Sequence, residues 1–414
     1  MGKLTFAAAL VVVAAVSAAA VAASGQGRSE RSVAPQATQV SGNITFATWA
    51  SNPIETKLLD RFLNAFRKKY PKIKVNHLTF EPGYPDTMLA RFAARKAPDA
   101  FYVSMDLALD WIKQGVVQDL TPYIQKYHYS MKPFFPKLLS AFQVKGKTYG
   151  FPKDWSPLGM ETNNALLAKA KVKPPQTWAQ LKSAAQKLKD DVPGGRPICL
   201  SNNWDRLMAF VYQNGGTFIN AKKTKSTVNT KAVKGAVDYY VGLIKQKLAG
   251  TPAQLGVDWC GEALGKQKAA IIFEENWVAP YMKDTFPSVK YKINPMVRNK
   301  RRGNLAFTNS YSIAKQSKNK PAAWTLIAYL ASRPGQKIWT GSGLALPTRG
   351  DVPPLARFKV LVNEAPYAHP YQFAPKFSKV LDVSNNELSA VIEGKKSSQD
   401  MLKKIQQTAN DALK

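Results

Sequence analysis

Histidine and cysteine are nearly missing from this sequence, with three and two residues among 414. His77, His128 and His369 each stand alone, without the close partner spacing a zinc site needs, so no metal is expected. Two cysteines cannot build a disulfide framework, and no C-x-x-C redox motif occurs. Cys199 and Cys260 fit either one bridge or two separate buried thiols. Catalytic signatures are missing as well: there is no G-x-S-x-G elbow, no H-E-x-x-H and no phosphate-binding G-x-x-x-x-G-K. Gly341-Ser342-Gly343 is too short for a nucleotide loop, because Leu346 fills the third-glycine position. No cofactor is indicated. Adjacent carboxylates such as Glu274-Glu275 suit a glycosidase in principle, but neighbours on a strand point apart, which favours a structural or ligand-binding role. The chain reads as a protein that does no chemistry.

Acidic residues are scarce too: 27 against 59 Lys and Arg, a net charge of +32. Such an excess draws nucleic acid or an anionic surface. Here the cations are dispersed along almost every helix face, and no arginine-rich arm or RNA-binding signature appears. A solvated basic surface is therefore favoured, and no nucleic-acid partner is expected. Long hydrophobic runs are limited to one, Leu4 to Val21, with Lys3 before it and the small residues Ala20-Val21-Ala22 at its end. Residues 1–23 therefore read as a signal segment. Retention as a membrane tether is the competing reading; the alanine content makes the run weakly apolar and favours cleavage. No cysteine beside it permits lipid attachment. Residues 24–43 read as a polar, disordered linker. The expected location is the periplasm or the cell surface.

What is present suits a folded chain: 45% hydrophobic and 11% aromatic residues, over a length that supports two or three domains' worth of core. Ile44 to Trp49 reads as a first strand. Ser51 or Asn52 can cap the next helix, and Pro53 suits its first position. Leu58, Leu59, Phe62, Leu63 and Phe66 follow at helical spacing, with Glu55 in the first turn and Arg67, Lys68 and Lys69 in the last. Strands over 73–80 and 100–104, with helices between and after them, continue a β-α-β-α-β order. That order predicts a parallel sheet covered by helices on both faces. Thr177 and Gln180 have capping-box spacing ahead of Leu181, Ala184, Ala185 and Leu188. Further on, helices are expected over 205–213, 230–247, 321–331, 334–340 and 399–413, and strands over 198–201, 269–273 and 307–314.

The rest is arranged around Tyr149 to Asn164, YGFPKDWSPLGMETNN. Pro152 and Pro157 forbid a regular helix across it. Lys153, Asp154, Trp155 and Ser156 form a polar and aromatic cluster more typical of a cleft-facing crossover than of a buried strand.

Several short stretches, in this order, resemble the family-1 extracellular solute-binding proteins of ABC importers, from about Ile44 to the C-terminus. They are Tyr70-Pro71-Lys72-Ile73-Lys74-Val75, Ala97-Pro98-Asp99, Gly115 to Thr121, Lys145 to Pro152, Pro174 to Trp178, Gly265 to Ala270, Tyr311-Ser312-Ile313, Ala322-Ala323-Trp324 and Leu346 to Arg349. Glu161-Thr162-Asn163 departs from the family's usual tyrosine before asparagine, and the lipoprotein cysteine is missing. The resemblance implies an α/β fold of the periplasmic-binding-protein type: two lobes, each a mostly parallel sheet flanked by helices, joined by hinge crossings. The lobes would span 44–153 with 309–349, and 154–308 with 350–414. It implies a receptor that closes on a mono- or oligosaccharide and passes it to the importer's membrane permease, working as a monomer. Because both cysteines then fall in the second lobe of an exported chain, a Cys199–Cys260 link is the expectation.

Ligands of open α/β sheets sit at strand ends, and sugars need flat apolar faces together with polar side chains. Candidate contacts at the expected strand ends are Trp49, Glu81, Tyr84, Asp106, Asp154, Trp155, Trp204, Glu275, Trp277, Asn309 and Tyr311. Trp155 and Trp277 are the favoured stacking faces; Trp178 and Trp324, on helices, are expected in the core. Arg349 fits either the cleft or a hinge salt bridge. Three other functions stay open. One is a receptor for a polyamine or peptide, which the carboxylates would favour. A second is a secreted glycoside-processing enzyme. The third is an adhesin for anionic polymers, whose binding would collapse with salt.

Overall fold

A computed structural model describes residues 40–49, 53–80, 83–222, 224–370 and 377–414. The signal segment, most of the linker, the Ser51 and Asn52 caps and Glu81 lie outside the described residues. The chain opens on strand β1 (Gly42–Thr48) and the helix Pro53–Lys69, then β2 (Ile73–Thr79), the helix Tyr84–Ala93 and β3 (Ala100–Ser104). The apolar stripe of the first helix is buried as its spacing requires: Leu58, Leu59, Phe62, Leu63 and Phe66 all lie in the core. A small hairpin, β4 (Gln143–Val144) and β5 (Lys147–Thr148), precedes β6 (Phe151–Pro157) and β7 (Gly159–Asn163). Short strands β8 (Ile198–Cys199), β9 (Ala249–Gly250), β10 (Ile271–Glu274) and β11 (Tyr291–Asn294) follow, then the long β12 (Asn304–Ile313) and β13 (Ala368–Pro370).

Two sheets result. The first has the order β13-β12-β3-β1-β2, with β6 also paired to β12. Its β1, β2 and β3 are parallel, and β12 runs against both β3 and β6. The second has the order β11-β7-β10-β8-β9; β8, β9 and β10 are parallel, and β7 runs against both of its neighbours, β10 and β11. Both sheets are thus mixed. Each antiparallel pair in them includes a strand the chain uses when it passes from one sheet to the other.

Tyr149 to Asn164 is where it first passes. Contrary to the sequence expectation, Phe151–Pro157 is a strand, and all of it but Ser156 is buried. Its polar residues are tolerated because each has a partner, described below. The chain leaves the first sheet after Pro157, enters the second at Gly159, and returns between Asn294 and Asn304. A side chain at Gly159 would put its Cβ 2.8 Å from the Glu161 and Leu361 side chains, so both would have to shift to make room where the chain enters the second sheet.

Helices sort by sheet. Lys320–Leu330 and Arg333–Thr340 pack on the first helix, with the Phe62 and Trp339 rings stacked at 5.8 Å. The terminal helix Ser398–Leu413 is tied to the helix Lys231–Lys245 and its lead-in: Ser398 donates to Asp238 at 2.7 Å and Asn229 N to Gln406 at 3.2 Å. Local signals hold at these ends. Thr230 caps its helix, and Thr177 accepts from Gln180 N. The reciprocal arm of the expected box is displaced, since Gln180 accepts from Gln176 N instead of Thr177 N. Cys199 and Cys260 are bonded, with Cα atoms 5.5 Å apart. Arg349 forms a bidentate pair with Asp351 at 2.9 and 2.7 Å.

Candidate functional site

The floor of the site is set by one buried ion pair. Lys153 is 1% exposed, on β6, and its ammonium bonds the carboxylate of its neighbour Asp154. An uncompensated ammonium at that depth would be costly. Here its other sides meet aromatic faces, Trp339 at 4.1 Å and Tyr102 at 4.7 Å from the ring centres. Asp154 is fixed in turn by Asn309 at 3.2 Å and by the Trp339 indole N–H at 3.0 Å. The backbone is held equally firmly. Gln336 donates to Lys153 O at 2.6 Å, and Thr308 donates to Asp154 O at 2.6 Å.

Above this floor opens a cavity of about 420 Å³, lined by Trp49, Glu55, Lys153, Asp154, Trp155, Ser156, Trp277, Phe307, Asn309, Trp339, Leu344 and Ala345. Concavities of about 660 Å³ and 680 Å³ are larger. This one is singled out because it gathers charged, aromatic and amide side chains of the first sheet and its helices and sets Trp277, from the second sheet's side, among them. Trp49 follows the C-terminal end of β1, and Trp277 lies just past the C-terminal end of β10.

On the second sheet's side, Glu275 accepts a hydrogen bond from Ser156 and an ion-pair contact from Arg206 at 2.9 Å. Arg206 also reaches Glu274 at 3.3 Å and lies 5.0 Å from the Phe307 ring centre. Burial pushes the Glu274 carboxyl up to about 7, and the Glu275 and Asp205 charges oppose its ionisation further, while Arg206 restrains the rise. Burial raises Glu161 well above the usual carboxylate range, and the charge of Glu274 adds to it.

Of the expected contacts, the structure brings Trp49, Asp154, Trp155, Trp277 and Asn309 to the cavity, with Glu275 behind Ser156. Others lie elsewhere. Trp204 is fully buried at the head of the helix Trp204–Gln213, packed edge-on against Phe218 at 6.1 Å. Tyr311 is fully buried within β12, among Phe46, Tyr102 and Phe62. Tyr84 donates to Tyr102 O at 2.8 Å and supports Trp49 edge-on at 4.9 Å, so it backs a lining residue. Asp106 is exposed in the first turn of the helix Met105–Lys113 and does not line the cavity. Trp155 is part of the wall but 2% exposed: its N–H donates to Pro347 O at 2.9 Å and its ring sits among Leu138, Ala306, Leu346 and Phe358. The open stacking face belongs to Trp277, which is 37% exposed.

Sequence reading put Lys153 and Ser156 in a cleft-facing cluster without naming them as contacts, and missed Glu55, Phe307, Trp339, Leu344 and Ala345 as lining residues. Glu55 looked like a helix-dipole carboxylate and Trp339 like an ordinary helix residue. No local signal distinguishes either. Among the described residues no group of three His, Cys, Asp or Glu is placed to hold a metal ion, and no helix is long and apolar enough to cross a membrane.

A family model described as bacterial extracellular solute-binding protein matches residues 50–337. A binding protein of Brucella abortus (strain 2308) is 25% identical over 372 residues, covering 84% of this chain and 88% of that protein. The fold is similar to an ABC substrate-binding protein of Listeria monocytogenes solved with cycloalternan, at a TM-score of 0.78, 23% identity, and coverage of 90% of this chain and 98% of that one. It is also similar to the sugar-binding protein MalE of Xanthomonas citri, at a TM-score of 0.80, 18% identity, and coverage of 90% and 97%.

Two outcomes follow from the geometry. Trp155→Ala should cost roughly 3–5 kcal/mol of folding stability, the range for removing a large core aromatic, whereas Trp277→Ala, at a partly exposed ring, should cost clearly less. Urea unfolding separates them; equal losses would place both rings in the core. The second concerns pH. An unfolded Glu274 ionises near its ordinary 4.5 and the folded one near 7, so the folded state holds the extra proton between those values and stability falls as pH rises through them. In unfolding measured from pH 5 to pH 8, Glu274→Gln should show a flatter decline than the parent. An unchanged slope would mean that Glu274 is already ionised at pH 5.

Proposed function

The chain belongs to the bacterial extracellular solute-binding protein family, and on that premise we propose that it is the receptor of an ABC importer, binding a mono- or oligosaccharide in the cavity between the two sheets. The observation that carries this reading is the lining itself. Exposed Trp277 offers a flat face for a ring's C–H groups, and Asp154, Asn309 and Glu55 offer hydrogen-bonding groups for hydroxyls. A volume of about 420 Å³ falls in the usual range for small-molecule sites. We take the sheets as two lobes that close on the solute and then present it to the permease subunits. The chain would act as a monomer, exported to the periplasm or the cell surface.

A second reading has one observation behind it. Two carboxylates, Glu55 and Asp154, line the cavity beside a single ammonium, Lys153, with aromatic rings around them. Such a lining also suits a cationic solute such as a polyamine. Hydrolysis of a glycoside is disfavoured, because Asp154 is already engaged by Lys153, Asn309 and Trp339.

The test is a thermal-shift screen of the full chain against glucose, maltose, maltotriose, cellobiose, glycerol, putrescine and spermidine. A cleft ligand at a hundred times its dissociation constant stabilises by about 2.7 kcal/mol. The expected result is a rise in melting temperature with a saccharide, nearly insensitive to salt, and without turnover of that saccharide. A rise with spermidine alone favours the cationic solute. Release of reducing sugar overturns the receptor reading.

A further inference from the structure

The exposed face of Trp277 has an unusual backing. The Trp259 ring lies behind it, with centres 4.7 Å apart and planes 34° apart, and Tyr281 meets Trp259 edge-on at 4.7 Å. Trp259 does not line the cavity. Its six-membered ring also lies close against Gly261, where an added Cβ would fall 1.9 Å from the indole ring. The intervening residue, Cys260, is bonded to Cys199 at the end of β8. The Trp259 ring is thus packed against both Gly261 and Trp277, and its chain is pinned to the second sheet by the bridge.

We propose that Trp259, seated on Gly261 and anchored by the Cys199–Cys260 bridge, is a positioning residue that fixes the plane in which Trp277 meets the solute. An exposed indole without backing samples several rotamers, and immobilising it on binding costs affinity. A ring already stacked from behind has lost that freedom before the solute arrives. Affinity for a ring with a flat C–H face then depends on a side chain that never touches it. It depends also on a bridge that persists in oxidising compartments, where an exported protein works. The inference rests on the saccharide reading of the cavity.

The experiment is calorimetric titration of the full chain with each of glucose, maltose, maltotriose and cellobiose, on the parent, Trp277→Ala, Trp259→Leu, Trp259→Phe, Gly261→Ala and the double variant Trp277→Ala/Trp259→Leu. Immobilising a side chain on binding costs about 0.5–1.5 kcal/mol, so Trp259→Leu, which leaves that cost to be met when the solute binds, should weaken binding roughly two- to tenfold. Trp259→Phe, which restores a ring, should recover most of the loss. Gly261→Ala, which displaces the ring without removing it, should reproduce it. In the Trp277→Ala background, Trp259→Leu should cost nothing further. Near-ultraviolet circular dichroism should lose the signal of the coupled indoles in both single tryptophan variants to Leu or Ala. Should the substitutions at 259 and 261 fail to fold, reduction of the parent's bridge, with its melting curve as control, must weaken binding to the same extent. Unchanged affinity in Trp259→Leu alongside a weakened Trp277→Ala overturns this inference and leaves the receptor reading standing. An equal loss from Trp259→Leu in both backgrounds also overturns it, because the ring would then act by some route other than Trp277. Binding of none of the four saccharides overturns both.

Discussion

The buried pair Lys153–Asp154 is the constraint on which the site depends. Two charges on adjacent residues of a strand point to opposite faces unless something turns them together. Here Trp339, from a helix far along the chain, stacks under the ammonium and donates to the carboxylate. Tyr102 on β3 covers the ammonium from another side, and Asn309 on β12 holds the second carboxylate oxygen. The pair therefore ties β6, β3, β12 and one helix into a single arrangement. Removing either partner would strand a buried charge, typically a loss of several kcal/mol. What that cost maintains is a cavity floor whose polar groups are oriented before any solute arrives, which is how preorganisation raises affinity.

Behind Ser156, the second sheet's side is built on the same principle with the signs changed. Arg206 is shared by Glu274 and Glu275, and Ser156 donates to Glu275 across the junction of the two sheets. Phe307, on β12, lies under the Arg206 guanidinium. The first sheet thus supplies an aromatic face to a cation of the second. Its Ser156 supplies a hydrogen-bond donor to an anion of the second. These contacts sit where the chain changes sheet, so relative movement of the two sheets must either preserve or exchange them.

Much of this could be read from the sequence, but unevenly. The stripe from Leu58 to Phe66, the cap at Thr177 and the parallel order of β1 to β3 are local or periodic signals, and each appears in the structure. The position of Trp277, just past a buried strand, was legible for the same reason. Trp204 and Tyr311 were not, because an aromatic at a strand or helix end looks alike in sequence whether it faces the core or a cleft. Lys153 misled most: a lysine between prolines reads as exposed, and only Trp339, Tyr102 and Asp154 together make its burial affordable. Glu55 and Trp339 enter the site through helix packing, which no window of sequence contains.

The central claim is that a solute ring rests on the open face of Trp277, above the Lys153–Asp154 floor. Crystallography of the protein soaked with the saccharide that stabilises it most tests this directly. The account predicts electron density for a pyranose ring against Trp277, with its hydroxyls within hydrogen-bond distance of Asp154 or Asn309. Density that leaves Trp277 bare and lies instead between Lys283, Lys290 and Arg357, in the larger concavity of about 660 Å³, would contradict it.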